Sequence, residues 1–379
     1  MAEDNMQSSA RRDGQTEPEN RAPASTDVVP SSATRSGAVH EILSLGRFMC
    51  ILAYPLENLR FATSGISQFG LKLAGKAFDP ERDVRDQSGK VILITGGNAG
   101  LGKETVLQLA KHNPARIYMC ARTESKAREA ISSIQSSLKS TVDIRYLPLD
   151  LTSFKSIQTA AKQFQSECDR LDTLILNAGV MALPPGKTED GYEIQFGTNH
   201  IGHFLLTKLL LPTLRKTATA EASAPRDVRV ISVSSVAWQL TPSMSVMTST
   251  PALCAANKWT QYGASKAANV IFAAELARRY PEILSVSLHP GLIDTGLYRA
   301  SKDTNPLVKF GTTAFGWFLQ SEQGGSLNHL WTAGVERNEL TNGEFYLSVG
   351  IKGWKNPLVH DEKAGKELWE WTEEQVKDW

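Results

Sequence analysis

Apolar positions along the chain alternate between short continuous runs and longer stretches with helical spacing. Val91 to Thr95 is almost continuously apolar and β-branched, the pattern of a strand buried on both faces. Gly96, Gly100 and Gly102 follow at once, and Lys103 to Ala110 then reads as a helix. The same alternation repeats downstream. Strands are predicted at Arg116–Ala121, Asp143–Leu149, Leu171–Leu176 and Val228–Ser234. Helical spacing at Ala127, Ala130, Ile131, Ile134 and Leu138 fills residues 123–139, a long apolar helix opens at Phe196, and another begins at Tyr262. The order predicts a single doubly wound α/β domain, a parallel sheet with helices on both faces and a ligand at the carboxyl ends of its strands.

The flanks read differently. Residues 1–36 are rich in Ser, Ala, Pro, Arg and Glu and too poor in large apolar groups to offset ordering entropy, which predicts a disordered tail without a signal peptide. Residues 37–87 form an N-terminal extension with helical potential, and the main domain is expected over 88–379. Within the extension, the apolar stretch from Ile42 to Tyr54 is broken by Gly46 and Arg47 and ended by Pro55, too short to span a bilayer. Residues 41–75 therefore either dock on the main domain or lie on a membrane surface, in an otherwise cytoplasmic protein. Leu368, Trp369, Trp371 and Val376 mark a final amphipathic helix.

Composition narrows the chemistry. A net charge of +1 over 379 residues, without a basic run, gives no reason to expect nucleic acid. Cys50, Cys120, Cys168 and Cys254 are scattered, so neither a disulfide frame nor a metal site is indicated. The strand, glycine-rich turn and helix start at 91–102 present backbone N–H groups and a helix dipole to a phosphate. About 20 residues past such glycines, a dinucleotide fold faces the adenosine ribose. Ala121 and Arg122 stand there, and a cation suits the 2′-phosphate of NADP where an acid would repel it. Asp150 either caps the next helix or reaches the adenine edge. Asn177, before Ala178 and Gly179, can tie two strand ends together through its amide. Ser235 closes a strand, and Tyr262 and Lys266 share one helix face, where a lysine lowers the pKa of a neighbouring phenol. Asn199 lies on a helix otherwise suited to the core, as a buried hydrogen-bonding residue or a functional one. His200 and His203 read as packed or capping residues.

Taken together, TGGNAGLG (Thr95 to Gly102), Asp150-Leu151, Asn177-Ala178-Gly179, Asn199, Ser235, Tyr262 with Lys266, and Pro290-Gly291 with Thr295 resemble the short-chain dehydrogenase/reductase family over about residues 88–350. The phrases FGTNHIGHFLLT and VISVSS look most like its retinol-dehydrogenase and WW-domain-oxidoreductase branch and like fungal members. The resemblance implies a Rossmann-type fold and an oxidoreductase interconverting an alcohol and a ketone or aldehyde with NADP(H). It implies Tyr262 as acid/base, Lys266 as the group that lowers the tyrosine pKa and holds the nicotinamide ribose, Ser235 as the carbonyl polariser, and Asn199 as holder of a water in a proton relay. Gly96, Gly100, Leu101, Gly102, Arg122, Asp150 and Asn177 would contact the cofactor, with Pro290, Ile293 and Thr295 framing the nicotinamide amide.

Two positions depart from the family pattern: Leu176 stands where many members have Asn, and Ala99 where a basic residue is usual, which leaves the NADP reading on Arg122. The apolar and aromatic segment from Leu307 to Leu319 suits a hydrophobic substrate. Trp238 to Asn257, an uncharged insertion between Ser235 and Tyr262, reads either as a loop packed beside the site or as a lid. A homo-oligomer is also expected from the resemblance. The alternative function is a nucleotide-binding regulator or scaffold without turnover.

Overall fold

The computed structural model describes residues 77–220, 226–291, 321–353 and 361–379. The strands are β1 (Val91–Thr95), β2 (Arg116–Ala121), β3 (Ile144–Pro148), β4 (Thr173–Leu176), β5 (Arg229–Val233), β6 (Leu284–Leu288), β7 (Phe345–Leu347) and β8 (Ile351–Lys352). They form one sheet in the order β3-β2-β1-β4-β5-β6-β7-β8. Every pairing is parallel except β7 with β8. Every residue of β1, β4, β5 and β6 is buried, as expected for a sheet covered on both faces. The chain leaves β1 toward β2 on one side and later returns to β4 on the other. That reversal opens a crevice between the carboxyl ends of β1 and β4, the usual place for a ligand in such folds.

Helices cover the two faces. After a short α1 (Pro80–Asp83) come α2 (Gly100–Ala110), α3 (Glu124–Ser137), α4 (Phe154–Glu167) and α5 (Gly202–Thr219). Next are the short α6 (Met244–Met247) and α7 (Thr250–Ala255), then α8 (Lys258–Arg279), α9 (Glu322–Gly334) and α10 (Glu362–Gln375). One core cluster joins α4, α5, α8 and α10 to one face of the sheet, and a second joins α2, α3 and α9 to the other. Val84, just past α1, is buried where a side chain at Gly334 would meet it within 2.6 Å, so the described part of the extension packs on α9.

The uncharged insertion is packed. Residues Val236–Leu240 form a 3₁₀ turn, and Trp238, Met247 and Leu253 are buried in the core. The helix expected from Phe196 is not one regular helix. A single α turn at Ile194–Phe196 leads into a π-helical turn at Gly197–Ile201, and only then does α5 begin. Glycines permit this: a Cβ at Gly197 would lie 2.4 Å from Thr188 Cγ2, and one at Gly202 would lie 2.5 Å from the Leu151 carbonyl oxygen. α10 folds back onto this region. Trp369 stacks on Phe272 of α8 with ring centroids 5.8 Å apart, and the Thr372 hydroxyl lies 3.0 Å from His200 Nε2 inside the π turn. No helix among the described residues is long and apolar enough to cross a membrane. The residues expected to form the tail and the membrane-facing or docking stretch, 1–36 and 41–75, lie outside the described residues, as do Ile293, Thr295 and the segment from Leu307 to Leu319.

Candidate active site

A cavity of about 1050 Å³ opens along the carboxyl edge of the sheet, from Arg122 and Asp150 at one end, past the glycine-rich turn, to Ser235, Tyr262 and Lys266. Its middle is a cradle of bare backbone. Gly96 and Gly100 take positive φ values of 66° and 51°. A Cβ at Gly102 would sit 2.2 Å from the Gly96 carbonyl oxygen. α2 begins at Gly100, within the glycine motif, and its N-cap residue Ala99 offers no side-chain cap. Its first amides therefore face the cavity with the positive end of the helix dipole behind them, which is the donor set a diphosphate requires. Leu101 lines the same wall.

Asn177 reaches across the switch point. Its Nδ2 donates to the Thr95 carbonyl at 2.8 Å, tying the ends of β4 and β1. Asp150 Oδ1 accepts from the backbone N–H of Thr152 at 2.9 Å and from its hydroxyl at 2.7 Å. These bonds close a turn ahead of α4 and do not cap it: the N-cap of α4 is Ser153, and the Phe154 N–H donates to Asp190 Oδ2 at 2.9 Å. Arg122, exposed at the end of β2, borders the same end of the cavity.

At the other end, α8 carries Tyr262 and Lys266 one turn apart, both buried, with Lys266 Nζ 5.7 Å from the centre of the Tyr262 ring. Nζ donates to the Val233 carbonyl at 3.0 Å, a bond that anchors the amine to the end of β5. Burial lowers its pKa to about 8, so the amine holds its proton less tightly than a surface lysine does. Ser235 caps the 3₁₀ turn by accepting from the Ala237 N–H at 3.2 Å, and it lines the cavity, where a hydroxyl can also donate.

Asn199 occupies the π turn. Its Oδ1 accepts from Val180 N at 2.8 Å, and its Nδ2 donates to Val180 O and to Ser265 Oγ, each at 2.9 Å. Its side chain thus holds the segment that follows β4 against α8. A Cβ at Gly179 would lie 3.2 Å from Asn199 Oδ1 and 3.4 Å from Lys266 Nζ, so a bare glycine leaves the space over both. Pro290 lines the cavity at the end of β6.

Several wall residues carry no motif. Met181, Leu183, Leu240 and Trp259 form an apolar wall beside Tyr262, and Glu322 at the start of α9 closes the edge near Gly100. For the four apolar residues the sequence signal is their apolar character close to the motif residues, and Glu322 carries none.

Comparison with known proteins decides the family. The model of the short chain dehydrogenase family matches residues 90–250. A short-chain dehydrogenase/reductase of Armillaria gallica is 40% identical over 301 residues, covering 78% of this chain and 93% of that protein. The chain belongs to the short-chain dehydrogenase/reductase family. Retinol dehydrogenase 12 of Mus musculus is 36% identical over 284 residues, covering 74% of this chain and 84% of its own. Among solved structures, a protein from Mycobacterium Paratuberculosis superposes with a TM-score of 0.60 at 26% identity, over 79% of this chain and 97% of that one. A short-chain dehydrogenase/reductase is a nicotinamide-dependent oxidoreductase acting on CH–OH groups, and the glycine cradle with its uncapped helix start fits such a dinucleotide.

Proposed function

We propose that this protein is an NADP(H)-dependent oxidoreductase that interconverts a hydrophobic alcohol with its ketone or aldehyde. The observation that carries the reading is one cavity bordered by Arg122 at one end and by Ser235, Tyr262 and Lys266 at the other. The bound nicotinamide would supply or accept the hydride. Gly96, Gly100, Leu101 and Gly102 hold the diphosphate on backbone N–H groups, Asn177 fixes the crevice beneath it, and Arg122 neutralises the 2′-phosphate. Pro290 borders the nicotinamide end, with Ile293 and Thr295 assigned to the same end by the family motif.

The Tyr262 hydroxyl gives its proton to the substrate oxygen as that oxygen becomes an alcohol, and in the reverse direction takes it back. The Lys266 ammonium lowers the cost of the resulting phenolate, and the Ser235 hydroxyl donates to the same oxygen, where charge develops. Asn199 would hold a water that links Lys266 to a proton relay. Met181, Leu183, Leu240 and Trp259 supply an apolar wall, which suits a bulky hydrophobic substrate. The relative named retinol dehydrogenase 12 is named for an apolar alcohol, which agrees with this wall.

Titration of the protein with NADPH and NADH, read by energy transfer from its tryptophans, tests the cofactor assignment. NADPH is expected to bind more tightly. Arg122→Asp is expected to weaken NADPH by about 10- to 100-fold, the worth of a charge-assisted contact, with little change for NADH. Equal losses for both would remove Arg122 from the site. Binding of neither by the unaltered protein would favour a scaffold that keeps the fold without turnover.

A further inference from the structure

His203 lies one helical turn beyond Asn199, buried, with both ring nitrogens engaged. Nδ1 is 2.9 Å from the main-chain carbonyl oxygen of Asn199, and Nε2 is 2.9 Å from Thr95 Oγ1. A carbonyl can only accept, so Nδ1 carries the proton, and Nε2 must accept from the Thr95 hydroxyl. Thr95 Oγ1 in turn accepts from the Ala178 N–H at 2.9 Å. One directed chain of hydrogen bonds therefore runs from Ala178 through Thr95 and His203 to the Asn199 carbonyl. It joins the ends of β4 and β1, where the glycine-rich turn starts, to the π turn that carries Asn199.

The chain of bonds ends on the π turn. Its wider hydrogen-bonding is a minority geometry, found mostly as single turns at functional sites. Both Nδ2 protons of Asn199 are already spent on Val180 and Ser265. Its carbonyl is held in addition by His203 Nδ1. Burial, reinforced by the nearby Lys266 charge, keeps the His203 pKa down at about 4, so the ring is neutral at physiological pH and keeps one donor and one acceptor.

We propose that His203, as its Nδ1–H tautomer, is a positioning residue that locks the Asn199 carbonyl and the π turn to the end of β1. The proposal rests on the reading that Asn199 and Lys266 belong to the proton machinery. In this arrangement His203 touches neither substrate nor cofactor. It sets the distance between the cofactor cradle and the group that serves Lys266, and misplacement by about 1 Å at such a site costs on the order of 100-fold in rate.

The two ring nitrogens can be separated by substitution. Asparagine places its amide where Nδ1 stands, whereas glutamine places its amide nearer Nε2. His203→Leu is expected to lower kcat at least about tenfold while the NADPH dissociation constant stays within about twofold. His203→Asn is expected to recover most of that loss, and His203→Gln is not. Recovery by Gln but not Asn, or full activity in His203→Leu, would overturn the proposal.

Nitrogen-15 NMR of the histidine-labelled full chain gives a reading independent of turnover and of whether any variant folds. A protonated Nδ1 and an unprotonated Nε2 on His203 support the chain of bonds, and the opposite tautomer refutes it. Failure of the functional reading would look different. Tyr262→Phe would then retain turnover, or NADPH would not bind at all; in either case the positioning role falls with it, even with the expected tautomer.

Discussion

Tyr262 is buried against Met181 and Ala182, and Lys266 lies one turn further along the same helix face. Replacing it by phenylalanine removes one hydroxyl and almost no volume. Tyr262→Phe is therefore expected to lower kcat by about 10²- to 10⁴-fold, the usual worth of a positioned acid/base, while tryptophan energy transfer to NADPH is retained. Ser235→Ala is expected to cost about 10²-fold in kcat through loss of a single donor at the developing oxyanion. Steady-state assays of both variants with a hydrophobic ketone, alongside cofactor titrations, check the assignment. If either variant loses cofactor affinity instead of kcat, its side chain serves binding and not proton transfer. Sequence could single these residues out because each sits in a motif whose spacing is local. Tyr262 and Lys266 are one turn apart, and Ser235 ends a strand. His203 was not legible in that way, since its partner Thr95 lies 108 positions upstream and only the fold brings the two together.

At the scale of elements, the glycine-rich turn is the least forgiving. A Cβ at Gly102 would overlap the Gly96 carbonyl, at 2.2 Å, and also approach Asn177 Nδ2 at 2.7 Å. Gly102→Ala is expected to destabilise the domain by about 1–3 kcal/mol and to abolish dinucleotide binding, because the turn must open to admit the methyl group. Chemical denaturation and NADPH titration of the same variant measure the two effects separately. The strands around this turn announced themselves as apolar runs, and β1 spans the predicted Val91–Thr95. β6 did not stand out, because Leu284 to Leu288 alternates leucine and valine with Ser285 and Ser287, and those serines are fully buried. β7 and β8 are too short to show any period. The π turn is invisible for another reason: one extra residue per turn leaves the apolar pattern of Phe196 to Leu206 looking like a continuous helix.

The whole molecule carries a titration signature. His200, His203, His289 and His329 are buried, and burial lowers their pKa values to about 3, 4, 3 and 4. A histidine that is neutral when folded takes up a proton on unfolding once pH falls below its unfolded value near 6.5. Their contribution to stability is therefore complete above about pH 6.5 and declines as pH drops toward 4, by up to about 1.4 kcal/mol per pH unit for each histidine. At Asp227 burial acts upward, but Arg229, Lys90 and Arg337 outweigh it and hold the carboxyl at about 2, so its contribution is lost at still lower pH. Urea unfolding at pH 7, 6 and 5 is expected to show a midpoint that falls steeply with acid. A flat profile would mean that these rings are protonated inside the fold.

The docking of α10 on the π turn sets the order in which the protein can mature. Ser235, Tyr262 and Lys266 are translated before Trp369 and Thr372, which lay the last aromatic ring on Phe272 and contact His200 beside Asn199. A nascent chain thus possesses all three side chains while the shell around them is still unfinished. A frameshift or early stop after β8 would therefore yield a polypeptide that keeps these motifs but lacks the Trp369–Phe272 stack and the Thr372–His200 contact.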